Sequence, residues 1–209
     1  MAHLCTPVTG GRGYPVAVRA PASLVAVVLA LALALVAAGC GPLGPTEQGG
    51  DAGDPLAVVT ALPSPGELRG PDPATADAAD LAEAFTGRPD AELAAVIDDR
   101  APADAAVRTW TSPGGGTLTV AASVWPSHLI ATGVGSDLAA RLVADDGAAW
   151  TPPDVPGARG ARRDDPAEAR LGFSVGPNAL YVRATGDVGD DVAERAMRRL
   201  ILVLEGQTG

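Results

Sequence analysis

"AVRTWTSPGGGTLTVAASVW", residues 106–125, decides the fold of this 209-residue chain. In its second half Leu118, Val120, Ala122 and Val124 alternate with Thr117, Thr119, Ala121 and Ser123. A period of two is the mark of a half-buried strand. In its first half Arg108 and Trp110 fall on one face, with Val107 and Thr109 on the other. Ser112-Pro113-Gly114-Gly115-Gly116 separates the halves, and such a run reads as a turn. The segment is a β-hairpin. Pro126 ends the second strand and suits a helix start. Beyond it Ile130, Val134, Leu138 and Leu142 recur every four residues as far as Asp145. Gly133 and Gly135 weaken that helix by up to about 1 kcal/mol each.

The pattern recurs near the C-terminus. "RLGFSV" (170–175), "GPN" (176–178) and "ALYVRATG" (179–186) read as a second hairpin. Asp187 can cap a final helix with Val192, Ala196, Leu200 and Val203 inward. Its early acids (Asp190, Asp191) and later arginines (Arg195, Arg198, Arg199) both complement the helix dipole. Two ββα-like units sharing one antiparallel sheet, with helices packed on it, give an α+β fold. Ahead of them, Thr75 can cap a helix with Ala78, Leu81, Ala82 and Phe85 on one face and Gly87 past its end. Asp90 can cap another, with Leu93, Val96 and Ile97 inward. Residues 148–169 read as a long connection with a short strand around Trp150. There is no βαβ rhythm and no Gly-rich phosphate loop, which disfavours a doubly wound nucleotide fold.

The first 40 residues are of another kind. Arg12 and Arg19 supply positive charge, Leu24 to Ala38 an uncharged apolar run, and Ala37-Ala38-Gly39 small residues before Cys40. These are the parts of a secretory signal, and the run is short of the roughly 20 residues that span a bilayer. "VAAGC" (36–40) resembles the lipobox of bacterial lipoprotein precursors. That resemblance implies cleavage between Gly39 and Cys40 by the type II signal peptidase and diacylation of the Cys40 thiol. It further implies a location at the extracytoplasmic side of the cell membrane. Ala37 stands where Leu is commonest in that family. Two acyl chains hold a protein stably at a membrane, where one holds only marginally. The region ahead of the apolar run is long, and translation starting near Val16 or Val18 would account for it. The expected organisation is a signal peptide over 1–39, a lipidated Cys40 with a Gly/Pro tether over 40–55, and one α+β domain over 56–209. A flexible tether of that length spans roughly 20 Å.

Charge and cysteine usage narrow the function. Every basic residue is an arginine, and Ala, Gly, Pro and Asp abound, as a GC-rich coding genome produces. Residues 40–209 carry 13 arginines against 25 carboxylates, a net charge of −12. Such a surface is repelled by nucleic acid and by anionic headgroups. Cys5 leaves with the signal, so the mature chain has neither a disulfide nor a cysteine metal site.

Candidate chemistry is sparse. After the leader there is one histidine, His128, beside Ser127. A hydrolase needs nucleophile, base and orienter to converge, and no Gly-x-Ser-x-Gly elbow is present. The paired aspartates at 98–99, 145–146, 164–165 and 190–191 lack the alternation of a calcium loop and read as caps and turns. No cofactor or metal is expected. Arg108, Trp110 and Trp125 suggest an exposed recognition patch, since interfaces are rich in both residue types. "GARGARR" (157–163) reads as a basic loop balanced by Asp164 and Asp165. In layout the domain looks like the small α+β lipoproteins and sensor domains of actinobacteria. The functional expectation is a non-enzymatic binding, sensor or accessory module that meets an envelope protein or a small ligand. A carrier of a lipid or other apolar ligand is the alternative, and an envelope hydrolase a remote one.

Overall fold

The computed structural model describes residues 51–145 and 147–208. The leader, Gly39, Cys40 and most of the tether lie outside the described residues. Helix α1 (Pro55–Thr60) opens the fold, with Pro55 at its first turn and the Asp54 carboxylate accepting from the Ala57 amide. Just ahead of it the Gly53 amide donates to Asn178 Oδ1 at 2.8 Å, and Asn178 Nδ2 donates to the Asp51 carbonyl at 3.2 Å. The C-terminal end of the expected 40–55 tether is therefore docked on the domain.

Strand β1 (Ala74–Thr75), α2 (Ala78–Thr86) and α3 (Ala91–Asp99) follow. Next come the hairpin β2 (Asp104–Thr111) and β3 (Thr117–Val124), then α4 (His128–Ala144). The chain continues through β4 (Ala148–Trp150), β5 (Arg159–Asp164), β6 (Ala167–Val175) and β7 (Asn178–Thr185), and ends in α5 (Asp190–Thr208). The strands form one seven-stranded antiparallel sheet in the order β1-β2-β3-β7-β6-β5-β4. The two hairpins meet at its centre, where Val120 faces Val182 and Ala122 faces Leu180.

Strand alternation divides the core in two. Leu118, Val120, Leu180, Val182 and Leu171 point to the face covered by α1 and by Met197, Leu200 and Leu204 of α5. Ala121, Ala179 and Tyr181 point to the other face, under Leu81 and Phe85 of α2, Leu93 and Ile97 of α3, and Ala131 and Val134 of α4. Burying each large side chain contributes about 1.5–3 kcal/mol, so each helix is held by packing more than by propensity. The hairpin–helix repeat is thus not symmetric: α4 and α5 cover opposite faces.

Several local expectations change. Asp77, not Thr75, caps α2 through a reciprocal capping box with Asp80, because Thr75 is taken up by β1. Val96 is exposed while Leu93 and Ile97 are buried. Ser127 Oγ caps α4 by accepting from the Ile130 amide. Leu142 is buried as expected, and the Leu138 side chain lies outside the described residues. Asp187 does not cap the last helix. Its carboxylate accepts from Ser112 Oγ at 2.5 Å and the Gly116 amide at 2.8 Å, clamping the β2–β3 turn to the β7–α5 loop. The hydroxyl of Ser112 chiefly holds that carboxyl below its ordinary value. Finally, the supposed basic loop is a strand: Arg159 to Arg163 belong to β5 and pair with β6.

Candidate functional site

Trp110 and Trp125 do not form a recognition patch. Both rings are 1% exposed, one in each core. Strand alternation sends Trp110 beneath α1, where no hydrogen-bond acceptor meets its Nε1 among the described residues. The Arg108 guanidinium lies 4.6 Å from the Trp110 ring and donates to the Leu62 and Pro71 carbonyls. It ties the 62–71 segment to β2. Trp125 donates from Nε1 to Ser123 Oγ at 2.8 Å. The two tryptophans thus serve the cores.

Ser127 and His128 are not arranged for nucleophilic attack. The serine hydroxyl is engaged as the α4 cap, and the exposed His128 ring meets the Gly176 carbonyl through Nδ1 at 3.3 Å. Neither partner is a carboxylate that could orient the base. Among the described residues no group of three or more metal-ligating side chains comes together.

The residues that do converge are charged, two of them buried and two half-buried. Arg163 of β5, Glu168 and Arg170 of β6, and Arg183 of β7 share the face beneath α2–α4. Register places them there: Arg163 pairs with Glu168, and Arg170 pairs with Arg183. Glu168 Oε1 accepts from Arg170 Nε at 2.8 Å and Arg183 Nε at 2.6 Å, while Oε2 accepts from Arg163 Nη2 at 2.9 Å. The side chains of Glu168 and Arg170 are each 5% exposed. Burial pushes the Glu168 carboxyl up, but the Arg183 hydrogen bond and the charges of Arg170 and Arg183 outweigh it. The group ends below the ordinary carboxylate value and is ionised.

Neighbouring elements hold this cluster in place. Arg163 also donates to the Asp145 carbonyl at 2.9 Å, satisfying the C-terminus of α4, and to the Pro166 carbonyl at 3.3 Å. Tyr181 donates from its hydroxyl to the Phe85 carbonyl at 2.9 Å, pinning the end of α2 over the sheet. Burial pushes that phenol far above its ordinary value, so it remains a donor. Gly87 follows with φ of +75°, and any Cβ there would collide with the Arg183 guanidinium. A glycine serves both as the left-handed helix stop and as the platform for the arginine.

Between the C-terminal end of α4 and the α2–α3 loop, the cluster floors an open cleft of about 610 Å³. Among the described residues five arginines and three carboxylates line it, two positive charges in excess. Arg183 also borders a second cleft of about 470 Å³, walled by Thr109, Thr119, Asp80, Glu83 and Arg108. This local positive surplus stands against the net charge of −12 that residues 40–209 carry.

No known protein family matches this chain, and comparison with curated proteins finds no relative of it.

Sequence reasoning placed Arg163 in a basic loop and passed over Glu168, Arg170 and Arg183. A signal existed: "AEARLGF" puts Glu168 and Arg170 two apart, on one face of an extended chain, and "YVRAT" puts Arg183 on the Tyr181 face. What joins them is strand register, which no local pattern carries.

Proposed function

We propose that the chain is a non-enzymatic, lipid-anchored binding module at the outer face of the cytoplasmic membrane. Diacylated Cys40 would anchor it, and the charged cleft beneath α2–α4 would receive its ligand. The 610 Å³ cleft supports this reading, since its floor holds buried charge beyond what the fold's own carboxylates neutralise. The carrier of an apolar ligand has less behind it, because both larger clefts are walled by charged and hydroxyl side chains.

Two measurements test it together. Mass spectrometry of the mature N-terminus should give a diacylglyceryl-modified Cys40, and Cys40→Ser should leave the membrane fraction. Native mass spectrometry of the full chain from its own membrane should show a retained small ligand or partner. A membrane-fraction protein that keeps its leader and an unmodified Cys40 overturns the anchor. Turnover of a cell-envelope substrate overturns the non-enzymatic reading.

A further inference from the structure

Resting on that reading, we infer that the cleft between α4 and the α2–α3 loop binds the oxyanion group of its ligand, a carboxylate or phosphate. The donor count carries the inference. An arginine side chain offers five N–H donors. Arg163 places all three of its nitrogens on protein acceptors, namely Glu168, Asp145 and Pro166. Arg170 places two nitrogens on Glu168. Arg183 places only Nε there, and its two terminal nitrogens have no protein acceptor among the described residues. They are not sealed orphans either, since Trp110 Nε1 alone is buried without a partner among those residues. The Arg183 terminal nitrogens keep access to solvent, beside Gly87 and at the border of both clefts.

Electrostatics point the same way. Arg170 and Arg183 stand directly opposite each other on adjacent strands, and like charges so placed repel. One carboxylate, Glu168, serves three guanidinium groups. At the rim Arg88 is exposed, and Arg141 meets Asp90 only at 3.5 Å. A carboxylate or phosphate seated over Arg183 and Arg170 would supply the missing acceptors and the missing negative charge, with two oxygens placed for the fork geometry that guanidinium favours. The net charge of −12 on residues 40–209 keeps extended polyanions away, so a single anionic group entering the cleft is the ligand chemistry that fits.

The test uses the full mature chain with isotope-labelled arginine in phosphatidylcholine nanodiscs. Inorganic phosphate is titrated against chloride at matched ionic strength, and each arginine Nε–Hε resonance is followed. Arg183, Arg170 and Arg88 should shift saturably, while Arg195 and Arg199 on the exposed side of α5 should not. Arg88→Ala, which lies outside the Glu168 network, should fold with unchanged melting temperature and bind phosphate roughly tenfold more weakly. Arg183→Lys keeps the charge but loses the fork and should weaken binding at least as much. Replacing phosphatidylcholine with phosphatidylglycerol distinguishes the source: saturation in the absence of free phosphate identifies a lipid headgroup, and its lack identifies a soluble ligand. A uniform, non-saturating drift of all arginines, or unchanged phosphate affinity in both variants, overturns the inference. If that occurs while native mass spectrometry still shows a neutral ligand, the binding-module reading stands without it.

Discussion

Arg170 and Arg183 face each other across β6 and β7 and share one acceptor, Glu168 Oε1, at 2.8 and 2.6 Å. A buried carboxylate between two opposed guanidinium groups makes that residue the keystone of the sheet's charged face. Removing one partner of a buried ionic network is far more damaging than replacing the whole, because uncompensated charge is left behind.

Glu168→Gln should therefore destabilise the domain by about 3–5 kcal/mol. Urea denaturation followed by far-ultraviolet circular dichroism checks this, with an unchanged slope indicating that the folded state itself is preserved. A loss under 1 kcal/mol would mean that Arg170 and Arg183 escape to solvent once the carboxylate is gone.

The pH dependence has a definite sign. The folded Glu168 carboxyl lies below its ordinary value, so its contribution is fully present above the unfolded value of about 4.3. It is lost as pH falls from there through the lowered folded value. Wild-type stability should fall steeply over that acid window, and the fall should be shallower in Glu168→Gln. Melting temperatures measured from pH 7 down to pH 3 compare the two.

Gly87→Ala should destabilise by more than the roughly 1 kcal/mol that a left-handed backbone imposes on alanine, because the new methyl also displaces the Arg183 guanidinium. In an Arg183→Ala background the same change should cost less. A double-mutant cycle isolates that coupling, and strict additivity would show that the glycine matters for its backbone alone.

Trp110 and Trp125 are sealed in the two cores, whereas Trp150 on edge strand β4 is half-buried. Acrylamide should quench only a minor component of the fluorescence, and Trp150→Phe should remove that component. Strong residual quenching in Trp150→Phe would contradict the buried placement of the other two.

Much of the fold was legible in local pattern. The alternation in 117–124 and 179–185, the apolar faces at 81–85 and 196–200, and the glycine-rich turns each report a structure completed within a few residues. β5 was not legible: Arg159, Gly160, Arg162 and Arg163 have weak strand character, and pairing with β6 makes the strand. The Trp110 and Trp125 patch failed for a related reason. Period two tells which residues share a face but not what covers that face, and here helices cover both.

The division of labour follows from the range of the forces. Sequence alone determined the two hairpins, the four longer helices, the acidic surface and the expectation of a lipidated Cys40, because each depends on neighbours along the chain or on summed charge. Only the tertiary structure decided that Arg163, Glu168, Arg170 and Arg183 meet, and that Gly87 makes room for them. Their meeting depends on the register of three strands and the placement of one helix end. Register is set by packing across the whole sheet, where slipping one residue would turn every side chain to the opposite face.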